Sequence, residues 1–148
     1  MILNIEKGDL FKLDNDKYVY AHCISLDCNM GKGIAKTFDK KFNGMKSFLI
    51  NKINGENYDY PKTIPCFSNG KLRVFNLITK EKYWNKPTYS SLEICICQMA
   101  EFCTRHDVKY LAIPKLGCGL DRLQWGKVQE IIYKYFYDLD ITIEVRYL

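Results

Sequence analysis

The sequence has no long apolar segment and few histidines, and both absences restrict the class of protein. No hydrophobic run approaches the roughly 20 residues that a membrane-spanning helix needs, and the first residues lack the pattern of a secretory signal. We therefore expect no membrane association and a cytoplasmic location, or a nuclear one in a eukaryotic cell. With two histidines in the chain, His22, Cys23 and Cys28 lack a second closely spaced pair to complete a zinc site. We predict neither a metal site nor a cofactor.

Internal repeats, low-complexity tracts and linkers are also missing. The 148 residues, of which 47% are hydrophobic and 26% are charged, suit one domain over residues 1–148, and nothing in them requires more than a monomer. Seven cysteines are an odd number, and they are scattered through predicted helices and strands, which favours reduced thiols over a disulfide scaffold. A net charge of +5 suits an anionic ligand but is too small to establish nucleic-acid binding.

Strands and helices alternate along the chain, which predicts an α/β fold with helices on both faces of a mixed sheet. Asn69-Gly70 indicates a tight hairpin turn. Ser90 with Glu93 has the pattern of a capping box at a helix start. Predicted strands lie at residues 2–5, 18–24, 63–67, 72–79, 110–114 and 141–147, and predicted helices at 34–42, 45–53, 92–103 and 128–136.

Three loops that contain glycine follow predicted strands, around Gly8, Gly31 to Gly33 and Gly117 to Gly119. If the strands are parallel, these loops share one rim of the sheet, where open α/β sheets hold ligands. The middle loop opens a helix, and backbone N–H groups at a helix start form a seat for a pyrophosphate. The loop lacks the third glycine of a dinucleotide-binding fingerprint and the Gly-Lys-Ser/Thr of a phosphate-binding loop. Phosphates would therefore be bound by backbone and shape.

Several segments together resemble the macrodomain superfamily, and more narrowly its terminal ADP-ribose protein glycohydrolase branch. The resemblance extends from Lys7 to Leu148, although residues 54–71 carry no family signal. The Asn-Ala-Ala-Asn segment of many macrodomains is absent. The matching segments are Lys7-Gly8-Asp9-Leu10, Ala21-His22-Cys23-Ile24-Ser25, Asp27-Cys28, Met30-Gly31-x-Gly33-Ile34-Ala35, Leu77-Ile78-Thr79-Lys80, Lys86-Pro87-Thr88-Tyr89 and Gly117-Cys118-Gly119-Leu120-Asp121-Arg122-Leu123-Gln124-Trp125.

The resemblance implies a three-layer α/β/α macrodomain with a mixed, mostly parallel sheet that binds ADP-ribose. Asp9 would accept a hydrogen bond from the adenine amino group, and Leu10 would pack on the ring. The glycine loops would enclose the diphosphate and both riboses, and Leu148 would line the adenine end. The implied ligand-contacting residues are Asp9, Leu10, Ser25, Met30, Gly31, Lys32, Gly33, Ile34, Ala35, Thr79, Pro114, Leu116, Gly117, Cys118, Gly119, Leu120 and Leu148.

The resemblance also implies that Lys80 and Asp121 are catalytic. The lysine would attack the anomeric carbon of the distal ribose and form a covalent adduct, and the aspartate would serve as acid and base. Without the resemblance, a solvated loop lysine and a helix-capping aspartate are the simpler interpretations. Cys118 has no evident base, and His22 fits a satisfied core histidine better than a proton shuttle.

The resemblance leaves two classes of function open. The first is a hydrolase that removes mono-ADP-ribose from acidic protein side chains or from a nucleic-acid base, with deacetylation of O-acetyl-ADP-ribose as a further activity. The second is a module that binds free or attached ADP-ribose without turnover and needs neither Lys80 nor Asp121. Partners are therefore ADP-ribose and ADP-ribosylated protein or nucleic acid. We interpret Tyr83, Trp84 and Tyr89, which follow Lys80, as a packed loop rather than an exposed stacking surface.

Overall fold

A single six-stranded sheet organises the computed structural model, which describes residues 1–148. The strands run in the order β1-β6-β5-β2-β4-β3, with β3 antiparallel at one edge and the other five parallel. The predicted mixed, mostly parallel sheet is confirmed. The strands are β1 (Ile2–Lys7), β2 (Val19–Ser25), β3 (Lys62–Ser68), β4 (Lys71–Lys80), β5 (Tyr110–Ile113) and β6 (Thr142–Tyr147), and the helices are α1 (Gly33–Lys41), α2 (Met45–Glu56), α3 (Tyr89–Arg105) and α4 (Trp125–Phe136).

Helices cover both faces of the sheet, because successive side chains of its central strands point to opposite sides. In β4, Phe75 and Leu77 belong to the core under α3 and α4, whereas Val74 and Ile78 belong to the core under α1 and α2. The strand therefore reads as a continuous apolar run, as expected for a strand buried on both faces. The result is the predicted three-layer α/β/α arrangement. None of the helices combines the length and apolar character of a membrane span.

One rim of the sheet collects the carboxyl ends of all five parallel strands. Gly8 follows β1, the loop through Gly31 follows β2, Lys80 ends β4, and Gly117 lies after β5. Leu148 follows β6 at the same rim. The prediction that the glycine-bearing loops share one edge is confirmed, and these loops form the candidate site.

The hairpin between β3 and β4 forms where the sequence predicts it, but the capping-box prediction is wrong. Asn69 and Gly70 have φ of 52° and 77°, the left-handed values that a tight hairpin turn requires. Helix α3 begins earlier than predicted, because Thr88 caps it: its Oγ1 accepts from Ser91 N at 3.0 Å, and Ser91 Oγ accepts from Thr88 N at 3.1 Å. Ser90 lies inside the helix.

Asp121 does not cap a helix. Helix α4 begins at Trp125 and its N-cap is Gln124, so Asp121 lies in the turn that precedes the helix. A carboxylate that is not engaged in capping is free to interact with groups across the rim.

Candidate active site

A cavity of about 1200 Å³ opens at the rim where the parallel strands end. It exceeds the roughly 300–1,000 Å³ of typical small-molecule pockets, which leaves room for an extended ligand. All but two of the predicted ligand-contacting residues line it, together with Lys80 and Asp121. The predicted residues at the wall are Asp9, Leu10, Ser25, Gly31, Lys32, Gly33, Ile34, Ala35, Pro114, Leu116, Gly117, Cys118, Gly119, Leu120 and Leu148.

Met30 and Thr79 are the two exceptions, and both are buried instead of lining this cavity. Met30 packs in the core under α1 and α2. Thr79 precedes Lys80 at the end of β4, and its Oγ1 atom has no hydrogen-bond partner. Both lie in segments that resemble the family, but the residues that follow them, Gly31 and Lys80, line the cavity while Met30 and Thr79 are buried.

Lys80 and Asp121 meet at the cavity wall, 41 positions apart in the sequence. Lys80 Nζ donates to Asp121 Oδ1 at 2.6 Å, and the two side chains are only 12% and 15% exposed. Lys80 Nζ also donates to the carbonyl oxygen of Tyr83 at 3.1 Å. The pair places an amino group and a carboxyl group in direct contact beside the space that a ligand would occupy.

The loop after β2 holds the end of β4 in place. Leu26 N donates to Lys80 O at 2.9 Å, and Asp27 Oδ2 accepts from Tyr83 N at 3.2 Å. Asp27 also accepts hydrogen bonds from Ser25 Oγ and Asn29 N. Partial burial of Asp27 favours a higher pKa, but these hydrogen bonds outweigh it and lower the pKa of the carboxyl below its usual value. Asp27 is therefore ionised and fixes both loops.

Two glycines at the rim occupy positions that a side chain would disturb. Gly33 begins α1 with φ of +62°, and the Leu120 side chain would lie 3.2 Å from an added Cβ, so the loops after β2 and β5 approach each other there. Gly117 has φ of +72°, and its added Cβ would lie 2.8 Å from Leu123 Cδ1. No side chain caps the start of α1, where Lys32 is the N-cap. Its first N–H groups are therefore available to an anion.

The wall of the cavity carries an excess of positive charge. Its cationic residues outnumber its acidic residues, Asp9 and Asp121. Asp121 is paired with Lys80, and Arg146 is paired with Glu144 and Glu6. Such a balance favours a ligand with negative charges, such as a diphosphate. The cationic residues of the wall are Lys32, Lys80, Lys86, Lys115 and Arg146.

The other predicted assignments have different outcomes. His22 is fully buried, stacks on Phe38 with ring centroids 3.9 Å apart, and its Nε2 pairs with Asn76 Oδ1 at 2.7 Å, so it is a core residue as expected. Its Nδ1 has no partner, so it is only half satisfied. Cys118 lines the cavity, but burial raises its pKa to about 11, which keeps it a thiol at neutral pH.

Asp9 lines the cavity, and one of its oxygens accepts from Phe11 N at 2.9 Å. Its other oxygen has no hydrogen-bond donor from the protein, so it can accept from a ligand. No group of three or more histidine, cysteine, aspartate or glutamate side chains could hold a metal ion.

The interpretation of Tyr83, Trp84 and Tyr89 as a packed loop is wrong for Tyr83 and Trp84. Tyr89 is half-buried and packs against the core, and its hydroxyl accepts from Gln124 N. Tyr83 is 48% exposed and lines the cavity, and Trp84 is 63% exposed beside it. Sequence reasoning also missed Phe11, Lys86, Lys115 and several other wall residues. Lys86 begins one of the segments that resemble the family, but residue spacing did not indicate that it lines the cavity. Whether these wall residues lie at the rim depends on the paths of the loops, which the sequence pattern does not give.

Comparison with known proteins gives clear relatives. The chain is 40% identical over 140 residues to the ADP-ribose glycohydrolase OARD1 of Homo sapiens, and the alignment covers 94% of this chain and 87% of that protein. The macrodomain of Thermus aquaticus DarG superimposes with a TM-score of 0.86 over 99% of each chain at 18% identity. Thermosipho africanus DarTG in complex with ADP-ribose gives a TM-score of 0.80 at 20% identity, covering 98% of this chain and 41% of that one.

No family model matches the chain. The identity to the human protein over nearly the whole length nevertheless establishes the relationship, and the two solved structures establish the fold. The chain has the macrodomain fold and belongs to the family of the ADP-ribose glycohydrolase OARD1.

Proposed function

We propose that the protein removes mono-ADP-ribose from an acidic protein side chain or another acceptor by way of a covalent adduct on Lys80. Its family makes it a hydrolase that acts on ADP-ribose. The observation that carries the finer proposal is the 2.6 Å contact between Lys80 Nζ and Asp121 Oδ1 at the wall of the large cavity.

The first half of the reaction transfers ADP-ribose to the protein. The Lys80 ammonium gives a proton to the Asp121 carboxylate, and the neutral amine attacks C1 of the distal ribose. The new N–C bond forms while the C–O bond to the acceptor breaks, and the acceptor oxygen leaves with the bonding electrons. It takes the proton that Asp121 holds, so the aspartate returns to its ionised form.

The second half releases ADP-ribose. Asp121 accepts a proton from water, the resulting hydroxide attacks C1, and the N–C bond breaks with its electrons returning to Lys80. Asp121 then returns the proton to the amine and restores the ion pair. One water is consumed and one acceptor group and one ADP-ribose are released.

The remainder of the cavity provides the binding energy and orientation that these steps require. The free N–H groups at the start of α1 and the cationic wall suit the diphosphate. The free oxygen of Asp9 suits the adenine amino group at the end of the cavity near Leu148. The loop of Gly117 to Leu120 lies across the cavity from Gly33 and suits the ribose between them.

Incubation with glutamate-linked mono-ADP-ribose tests the proposal. We expect release of free ADP-ribose by the native chain, with loss of turnover but not of ADP-ribose binding on Lys80→Ala. Intact-mass analysis of the native protein during turnover should detect an ADP-ribose adduct that is absent from Lys80→Ala. Normal turnover by Lys80→Ala would exclude Lys80 as the nucleophile, and ADP-ribose binding without release from any acceptor would identify a binding module.

The same assay with O-acetyl-ADP-ribose and with an ADP-ribosylated oligonucleotide covers the other acceptors. Glutamate and nucleic-acid acceptors are joined through an oxygen or a nitrogen to the same sugar carbon, so one pair of residues can serve both. O-acetyl-ADP-ribose carries an ester on a ribose hydroxyl, so its turnover would show that the site also hydrolyses an ester. The relative kcat/KM values then give the preferred acceptor.

A further inference from the structure

The segment after Lys80 presents two aromatic rings to solvent at the edge of the cavity. Tyr83 and Trp84 have ring centroids 5.0 Å apart at an interplanar angle of 84°. Both are large side chains with about half or more of their surface exposed. Exposed aromatic pairs of this kind mark interaction sites in soluble proteins.

The position of this pair is fixed by hydrogen bonds rather than by packing. Tyr83 N donates to Asp27 Oδ2 at 3.2 Å. Lys82 N donates to Asn85 Oδ1 at 2.9 Å, and Asn85 N donates back to Lys82 O at 3.0 Å. The turn thus holds the rings outward without burying them, which is the arrangement of a preformed binding surface.

The pair lies on the acceptor side of the catalytic residues. Tyr83 O accepts from Lys80 Nζ, and Tyr83 itself lines the cavity. A group attached to the distal ribose carbon that Lys80 attacks would leave the cavity beside these rings. Under the proposed mechanism the surface would therefore contact the acceptor or the molecule that carries it.

The segment from Lys80 to Lys86 contains three lysines and one acidic residue, the exposed Glu81. Lys82 and Lys86 flank the aromatic pair in the sequence, and Lys86 Nζ donates to Leu120 O at 2.8 Å. A second cavity of about 380 Å³ shares Asp27 with this loop and contains Lys36, Lys40 and Lys46 at its wall, with Asp39 as its other acidic residue. The carboxylate of Asp27 is already engaged by three donors.

We propose that Tyr83 and Trp84 form a stacking platform for an unpaired nucleobase of an ADP-ribosylated nucleic acid strand, and that the lysines beside it contact the strand's phosphates. This inference rests on the proposed function of Lys80 and Asp121. Each nucleotide supplies a flat ring and a negative charge together, which is what the aromatic pair and the lysines match. An acidic peptide supplies the charge without the ring.

The test compares Trp84→Ala with the native enzyme on two substrates that share ADP-ribose: a single-stranded oligonucleotide carrying it on a terminal phosphate and a peptide carrying it on glutamate. Loss of one stacked base predicts a fall of about tenfold in kcat/KM for the oligonucleotide. The peptide's kcat/KM should be unchanged. Trp84→Phe should restore most of the loss, and Tyr137→Ala, an exposed aromatic residue at the opposite rim, should have no effect on either substrate.

Equal effects on both substrates, or no effect on either, would overturn the proposal. A larger loss on the peptide would show that the surface recognises protein, which also overturns it. The expected charge contribution gives a second readout: Lys36→Gln with Lys46→Gln should weaken the salt dependence of kcat/KM for the oligonucleotide and leave that of the peptide unchanged.

A binding measurement separates failure of the platform from failure of the catalytic proposal. Trp84 is the remaining tryptophan in a Trp125→Phe background, and adding Asp121→Asn stops turnover under the proposed mechanism. The ADP-ribosylated oligonucleotide should quench Trp84 fluorescence more than free ADP-ribose does. Quenching without any cleavage by the native enzyme would refute the catalytic proposal alone. Equal quenching by the two ligands would refute the platform, whatever the activity.

Discussion

Asp121→Asn provides the sharpest test of the catalytic pair. Asparagine has nearly the same shape, and its Oδ1 can still accept from Lys80 Nζ at the 2.6 Å separation that the aspartate has. The amide cannot accept the amine's proton, so the variant removes proton transfer while it keeps the arrangement of the site. The variant therefore tests proton transfer separately from the arrangement of the side chains in the site.

The size of the expected effect follows from the role that we propose for the aspartate. A positioned acid or base contributes roughly 10²–10⁴ in rate, which corresponds to about 3–5 kcal/mol in the transition state. We expect kcat for glutamate-linked ADP-ribose to fall by that factor. The dissociation constant for free ADP-ribose should change little, because the proposed ligand contacts along the glycine loops and the diphosphate seat remain in place.

The assay is single-turnover release of ADP-ribose, with isothermal calorimetry for binding and thermal unfolding as a check on folding. Asp140→Asn serves as the matched control, since Asp140 forms an exposed ion pair with Lys109 at 3.3 Å, before β5 and β6 and away from the cavity. A folded Asp121→Asn variant that binds ADP-ribose and keeps native kcat would refute the reasoning. A parallel loss in both variants would show that the effect is not specific to the site.

Three further predictions concern the framework of the site. Gly117→Ala should lower the free energy of unfolding by about 2–4 kcal/mol, because Gly117 has a positive φ and a leucine methyl group lies close to the added Cβ. Gly119→Ala, which has open space around the added Cβ, should have almost no effect in the same urea unfolding assay. Burial lowers the pKa of His22 to about 4, so between about pH 6.5 and pH 4 the unfolded chain binds a proton that the folded chain does not. Stability should therefore fall by at most about 3 kcal/mol as the pH falls through that range. His22→Gln should flatten this dependence of stability on pH, and His106→Gln should not. Leu49→Ala removes a fully buried side chain and should cost about 2–5 kcal/mol in the same unfolding assay; native-like stability would exclude a well-packed core there.

The periodic features of the chain were predictable, because period and burial are linked in a helix or strand. The apolar stripe of α3 from Leu92 to Cys103 is buried on one side, and the Asn69-Gly70 hairpin follows from turn chemistry that tolerates few alternatives. The helix start was not predictable at the same resolution. Thr88, Ser90 and Ser91 can each cap, and the path of the chain after Pro87 selects Thr88.

The site was predictable only in part, because its residues come from separate loops. The meeting of Lys80 with Asp121 requires the sheet to place the ends of β4 and β5 near each other, and spacing alone does not supply that. Resemblance supplied the pair, and it also supplied Met30 and Thr79, which are buried and do not line the cavity. The exposure of Trp84 could not be foreseen, since the hydrogen bonds that hold its turn outward involve Asp27 from another loop.

The ion pair itself argues for chemistry at this site rather than for binding alone. Burying a lysine and a carboxylate costs desolvation free energy that their attraction only partly offsets, so such a pair is weak evidence of stabilisation. Binding alone gives no reason for the pair, since Lys80 Nζ donates to Asp121 and to the Tyr83 carbonyl rather than being free to bind an anion. The 2.6 Å contact instead brings an amino group and a carboxyl group together at the wall of a cavity wide enough for an extended ligand, which is the arrangement that the proposed nucleophile and its acid and base partner require.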